Sequence, residues 1–149
     1  MQQRYLSALC VSGVLALASG VATRAQAGPQ TYKGLEVHVA GIERATIVSL
    51  ADCPPGANTQ RGVIKPGEAT EFAAVKVDFK VTPAFKPGLL AKPVLTDATG
   101  KTYNTAQSFA EIGSTPSFTC TFAFRVPKGT KVTKLGLESV SIDVASMGQ

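Results

Sequence analysis

The sequence predicts an all-β domain, either a sandwich or a barrel, after an N-terminal export signal. The domain prediction rests on two segments in which apolar and polar residues alternate, Ala73–Val81 and Phe118–Val126. It also rests on Gly- and Pro-containing turns between the apolar runs, and on the lack of any convincing 3.6-residue period. Short alternating strands joined by such turns are typical of packed or closed antiparallel sheets.

Residues 1–27 are organised like a secretory signal peptide. Arg4 supplies the positive start, an apolar run follows from Leu6 to Ala22, and Ala25-Gln26-Ala27 matches an A-x-A cleavage site. The alternative is an uncleaved anchor, but a run of about 17 residues is short for a membrane span of about 20. We therefore expect cleavage before Gly28 and a protein that is periplasmic or secreted.

Cleavage would leave residues 28–149, a length that fits one domain. The full chain has a formal net charge of +5, and the loss of Arg4 and Arg24 would reduce it to +3. This charge is too small to indicate nucleic-acid binding, which needs a concentrated basic face. We expect a soluble monomer without stable membrane insertion. Three lysines within Lys128–Lys134 leave attraction to an anionic envelope surface as an alternative.

An N-terminal strand is predicted where Leu35, Val37 and Val39 alternate with Glu36 and His38. In this pattern one face of the strand is buried and the other is in water. The two strongest strands come later in the chain. The odd positions of Ala73–Val81 are apolar, and the even positions of Phe118–Val126 are apolar and include three phenylalanines.

Turns and a phase change complete the strand prediction. Asp97-Ala98-Thr99-Gly100 lies between two short apolar runs, as a hairpin connection would. Near the C-terminus the apolar positions change from odd to even at Glu138-Ser139. The residues concerned are Leu135, Leu137, Val140, Ile142 and Val144. Because a slip of one residue would turn later side chains to the wrong face, we expect a bulge or a short break there.

Two long segments show no strand pattern, residues 52–67 and 83–93. Loops of this length are uncommon in compact domains unless they bind something or are disordered. They are interpreted either as plain insertions or as binding loops. The candidate interaction residues in the first segment are Pro54, Pro55, Asn58, Gln60, Arg61 and Lys65.

Three stretches carry a resemblance to a known family. They read F-A-A-V-K-V-D-F-K-V at Phe72–Val81, V-L-T-D-A-T-G-K-T-Y at Val94–Tyr103, and F-A-F-R-V-P-K-G-T-K-V-T-K-L-G-L at Phe122–Leu137. In order and spacing the chain resembles the telokin-like, immunoglobulin-like domain of bacterial exported proteins of unknown function, also called the immunoprotective extracellular domain. The resemblance implies an immunoglobulin-like antiparallel sandwich of seven to nine strands, an extracytoplasmic location and a binding or antigenic role. It provides no active-site residues.

The sequence offers little for catalysis. His38 is the only histidine and shares a polar strand face with Glu36, without the sequence context of a Ser-His-Asp or Cys-His site. One histidine and two cysteines cannot supply the four ligands of structural zinc. We therefore expect no enzyme activity, no metal and no cofactor.

Cys53 and Cys120 are the only cysteines after residue 27. Two cysteines in a small exported domain predict one disulfide, and the alternative is a pair of free thiols. The predicted function is binding of a protein, a peptide or envelope material through loops. The alternative function is a carrier that holds a small apolar ligand in a cleft between the sheets.

Overall fold

The computed structural model describes residues 28–56 and 62–147, and the predicted signal peptide lies outside these residues. The described residues contain ten strands and no helix. The strands are β1 (Gln30–Tyr32), β2 (Leu35–Ala45), β3 (Val48–Leu50), β4 (Gly62–Ile64), β5 (Thr70–Val81), β6 (Val94–Asp97), β7 (Thr102–Asn104), β8 (Ser117–Pro127), β9 (Val132–Leu137) and β10 (Val140–Asp143). Within this part of the chain, no helix is long and apolar enough to cross a membrane.

Eight of these strands form two four-stranded antiparallel sheets, with the orders β1-β2-β5-β8 and β10-β9-β6-β7. Strands β3 and β4 form a separate two-stranded ribbon. The predicted all-β sandwich is therefore confirmed. The total of ten described strands exceeds the seven to nine that the resemblance implied, because the ribbon adds two.

The first sheet follows the predicted alternation. On β5 the odd residues Ala73, Val75, Val77 and Phe79 are fully or almost fully buried, whereas Lys76 is exposed. Strand β8 pairs with β5 along its whole length and buries its even residues. The inward rows of both strands therefore face the second sheet and form the core.

Aromatic rings fill one part of that core. Phe79 stacks on Phe118 with 5.1 Å between ring centroids, and it meets Phe109 and Phe122 edge-on at 5.6 and 6.4 Å. Both arrangements are favoured for aromatic pairs. The second sheet contributes fully buried side chains to the same cluster, namely Leu95, Val132, Leu135 and Leu137.

The predicted hairpin between β6 and β7 is present, and Asp97 holds it together. One carboxylate oxygen of Asp97 accepts hydrogen bonds from the backbone N–H and hydroxyl of Thr99 and from the N–H of Lys101, at 2.7–3.0 Å. The other accepts from the Tyr103 hydroxyl at 2.8 Å. Chiefly because of the Thr99 hydroxyl, the pKa of Asp97 falls from 3.8 to about 2.

The Asp97 carboxylate should stabilise the fold in a defined pH range. Its folded pKa is depressed, so its contribution is present above the ordinary value of 3.8 and is lost as the pH falls towards about 2. We expect the melting temperature of an Asp97→Asn variant to lie below that of the protein near neutral pH. This difference, or gap, in melting temperature should disappear at the acidic end of the pH range. Thermal unfolding of both proteins across this range measures the gap, and a gap independent of pH would contradict the assignment.

The short break predicted at Glu138-Ser139 is present, and it is a hairpin turn that reverses the chain. Leu137 at the end of β9 pairs with Val140 at the start of β10, which returns both to the core without a bulge. Glu138 adopts a φ of 50°, which is uncommon for residues other than glycine. Its carboxylate accepts hydrogen bonds from Lys33 Nζ at 2.8 Å and from the Tyr32 hydroxyl at 2.9 Å, which lowers its pKa. These bonds link the outer strands of the two sheets, β1 and β10.

Residues 83–93 lie against the β1–β2 turn. The hydroxyl of Thr82 donates to the carbonyl of Gly34 at 2.7 Å, and Lys33 Nζ donates to the carbonyl of Leu89 at 3.1 Å. Gly34 has a φ of 82°, and a Cβ there would collide with the backbone of Phe85. The close approach explains why this turn needs glycine. The Leu89 side chain itself is 95% exposed.

The predicted disulfide between Cys53 and Cys120 is present, with 5.4 Å between the Cα atoms. The backbone of Cys53 also pairs with the segment that follows β7. Its N–H donates to the carbonyl of Ser108 at 3.0 Å, and its carbonyl accepts from the N–H of Ala110 at 2.7 Å. Cys53 therefore connects the loop between β3 and β4 to β8 and to residues 108–110.

Candidate functional site

The first predicted loop contains a strand that the sequence did not reveal. Residues 62–64 form β4, which pairs with β3 through Val48 and Ile64, Ser49 and Val63, and Leu50 and Gly62. The expectation that residues 52–67 lack strand structure is therefore wrong for this part. A three-residue strand is too short to display an alternation, which explains the miss.

One side of the β3–β4 ribbon is buried against the first sheet. Val48 is buried there, and the partly buried Leu50 and Ile64 pack beside it. They cover Phe72 and Ala74 of β5 and Ala123 of β8. These three residues alternate with the core-facing rows, so they lie on the sheet face that points away from the second sheet. The contact forms a small second core that fixes the ribbon in place.

The opposite side of the ribbon faces solvent and carries two large apolar side chains. Val63 is 67% exposed and Ile47 is 51% exposed. Continuing the strand register places Ile47 opposite Lys65, and Ser49 is opposite Val63. These four exposed residues, Ile47, Ser49, Val63 and Lys65, are called the ribbon patch below.

A second cation lies beside the ribbon patch. Arg125 of β8 is exposed, its guanidinium lies 5.7 Å from the centre of the Phe72 ring, and one of its nitrogens donates to the Lys65 carbonyl at 3.4 Å. Within residues 28–56 and 62–147, neither Lys65 nor Arg125 forms an ion pair with a carboxylate. The sequence has no Asp or Glu in residues 57–61 either. The patch therefore combines apolar side chains with uncompensated positive charge.

The predicted interaction residues fall into three groups. Lys65 belongs to the ribbon patch and Pro55 is exposed near the Cys53 end of the loop, whereas Pro54 is buried. The other predicted residues, Asn58, Gln60 and Arg61, lie outside the described residues. The sequence prediction missed Ile47 and Val63, because each is followed by another apolar residue, Val48 or Ile64, and the sequence does not show which of the two is exposed.

His38 lies in a polar row that crosses the outer face of the first sheet. Its Nδ1 is 3.8 Å from Asp78 Oδ2, and the Thr119 hydroxyl donates to Asp78 Oδ1 at 2.6 Å. The carboxylate therefore sits between the histidine and the hydroxyl. A catalytic triad needs the histidine in the middle, where it can accept the proton of the hydroxyl. This row has the wrong order for that chemistry. In the part of the chain that the structure describes, no group of three or more His, Cys, Asp or Glu residues could hold a metal.

Two concave regions of the described surface are lined partly by charged side chains. A cleft of about 600 Å³ lies beside the turn after β8, where Arg44 and Glu71 pair at 3.4 Å. Arg44 also donates to the Thr130 carbonyl, and Glu71 accepts from the N–H of Gly129 at 3.1 Å, so both charges serve to hold that turn. A groove of about 250 Å³ lies at the β2 bulge near Gly41. Because the space between the sheets is filled by fully buried side chains, these cavities give the carrier hypothesis no support.

The comparison with solved structures supports the β-sandwich fold. No protein-family model and no curated protein matches the chain. The structure is similar to the crystal structure of an uncharacterized β-sandwich protein from Clostridium difficile 630, with a TM-score of 0.51 and 12% sequence identity. The match covers 77% of this chain and 87% of that one. Similarity at this identity shows a shared β-sandwich fold and does not identify the telokin-like family that the motifs resemble.

Proposed function

We propose that this chain is an exported, non-catalytic binding module that docks a partner polypeptide on the ribbon patch. The observation that carries the proposal is the exposure of Ile47 and Val63 on the solvent side of a ribbon whose other side is buried. A disulfide between buried cysteines is compatible with export, because such bonds persist in oxidising compartments.

The ribbon is suited to binding because it is already held in place. Its inner side packs on the first sheet through Val48, Leu50 and Ile64. The disulfide from Cys53 ties the loop between β3 and β4 to β8. A partner that docks on a fixed surface pays little conformational entropy for ordering it. In typical interfaces a few central side chains, often aromatic residues or arginine, supply most of the binding energy.

The charge around the patch indicates the chemistry of the partner. Lys65 and Arg125 have no carboxylate partner among the described residues, and both lie next to the apolar pair. An acidic polypeptide segment with apolar side chains would complement both features. Electrostatic attraction of this kind mainly raises the association rate and weakens with salt.

Substitution of the apolar pair tests the proposal. An Ile47→Ser/Val63→Ser variant should retain the fold, because both side chains are largely exposed. We expect chemical crosslinking in the producing cells to join the protein to a partner polypeptide and to fail with this variant. Leu89→Ser is the matched control, because Leu89 is also large, apolar and exposed but lies in the 83–93 segment, away from the ribbon.

The two variants separate the proposal from nonspecific adhesion. Loss of the crosslinked species in the ribbon variant and its retention in Leu89→Ser would support docking at the ribbon patch. The same crosslinked species in both variants would contradict it. Melting temperatures of both variants close to that of the protein show that the result does not arise from unfolding.

A further inference from the structure

Strand β8 lies at one edge of the first sheet. An edge strand presents unpaired N–H and C=O groups, to which another strand can add. The run Phe118–Phe124 reads F-T-C-T-F-A-F, which has no charge and no proline. Segments of this composition pair readily with copies of themselves. The edge of β8 therefore needs protection if the chain is to stay monomeric.

Gln107 supplies part of that protection. Its side chain is 3% exposed, Nε2 donates to the carbonyl of Thr121 at 3.2 Å, and Oε1 accepts from the N–H of Ala123 at 3.2 Å. The amide thus makes the two hydrogen bonds that a neighbouring strand would make. Oε1 also accepts from the hydroxyl of Thr105, which itself forms an isolated antiparallel bridge with Phe124.

The segment that carries Gln107 is fastened through Cys53. The backbone of Cys53 pairs with Ser108 and Ala110 on either side of Phe109, and its sulfur is bonded to Cys120 of β8. Residues 105–110 are therefore held along β8 by hydrogen bonds at one end and by a covalent clamp at the other. Cutting the disulfide leaves the hydrogen bonds and the packing of Phe109 on Phe79 and Phe122 to hold this segment against β8.

We propose that the edge of β8 is a strand-addition site for a second copy of this chain, closed in the oxidised protein and opened when the disulfide is reduced. A dithiol reductant breaks the S–S bond, each cysteine sulfur gains one electron and one proton, and the reductant becomes a disulfide. Two uncharged Phe118–Phe124 runs can then lie antiparallel about a two-fold axis without like-charge repulsion. This site is the hydrogen-bonding edge of β8, whereas the ribbon patch consists of exposed side chains on β3, β4 and the residues beside them.

The test compares the full protein with Gln107→Leu and Leu137→Ala variants, each with and without dithiothreitol, by size-exclusion chromatography with light scattering. The leucine in place of Gln107 removes both hydrogen bonds to β8 and leaves the disulfide. Leu137 is fully buried in the second sheet, so its truncation destabilises the fold without uncovering β8. We expect a monomer for the oxidised protein and a dimer on reduction. Reduced Gln107→Leu should dimerise at about tenfold lower concentration, since two edge groups are already free.

Amide hydrogen exchange tests the protection of β8 by Gln107 in the oxidised protein, so this part of the test does not depend on whether the reduced protein stays folded. In oxidised, dilute Gln107→Leu protein, the N–H of Ala123 should exchange about tenfold faster than in the unsubstituted protein, because it has lost its acceptor. Unchanged exchange at Ala123 would overturn the proposal. A reduced, folded protein that stays monomeric, or a Leu137→Ala variant that dimerises as readily as Gln107→Leu, would also overturn it.

Discussion

Removal of the Cys53–Cys120 disulfide should lower the free energy of unfolding by about 4 kcal/mol. The bond joins cysteines that are 67 residues apart, so it greatly restricts the unfolded chain. Both cysteines are buried in the folded protein, at 1% and 3% exposure. Denaturant unfolding of the protein and of a Cys53→Ala/Cys120→Ala variant measures the loss. The total free energy of unfolding of a small domain is about 5–15 kcal/mol, so this loss is a large fraction of it.

Alkylation followed by peptide mapping provides the control for this experiment. Cys53 and Cys120 should take no alkyl group in the unfolded, unreduced protein and one each after reduction. Alkylation of either residue before reduction would show a free thiol and contradict the bond. A stability loss below about 1 kcal/mol in the double variant would contradict the expected contribution.

Truncation of Phe122 to alanine should cost about 3–5 kcal/mol of stability. The ring is fully buried, and it contacts Phe79 and Phe109 with centroid distances of 6.4 and 5.6 Å. Its loss would leave a cavity in the core between the two sheets, where neighbouring side chains cannot collapse freely. The midpoint of denaturant unfolding should therefore fall sharply, with little change in its slope.

Leu89→Ala is the matched control for this substitution. It also truncates a large apolar side chain, but Leu89 is 95% exposed, so its effect should stay within about 0.5 kcal/mol. Equal effects at Phe122 and Leu89 would show that the aromatic cluster is not the core of the domain.

The strands that could be predicted from sequence are those with one face buried and one face in water. On β5, Lys76 and Lys80 mark the wet face, and on β8 Thr119 and Thr121 do so. Their pairing across eleven positions then follows from the fit of the two inward rows. The sequence indicated the position of the interruption at Glu138 but not that it is a hairpin turn. The Glu138 carboxylate bonds to Lys33 and Tyr32, which are distant in sequence, so no local pattern reveals these contacts.

The residues of the candidate site were harder to predict from the sequence than the strands. The disulfide could be predicted because cleavage of the predicted signal peptide would leave one cysteine pair, and the length of its loop singles out Lys65. The ribbon could not be predicted, since each of its strands has only three residues. Its inner side also packs on an outer sheet face, which usually meets water. No local sequence pattern points to Gln107. Its role depends on hydrogen bonds to the edge of β8, which lies next to it only in the folded protein.

Site-specific photo-crosslinking tests the central claim, partner docking at the ribbon patch, most directly. A photoreactive phenylalanine analogue is placed at Val63 in one protein and at Leu89 in another, both of which are exposed positions. After illumination of the producing cells, we expect a discrete adduct with a partner polypeptide from position 63 and none from position 89. The adduct should weaken when Lys65 and Arg125 are both changed to glutamate. No adduct at position 63, or the same adduct from both positions, would contradict the account.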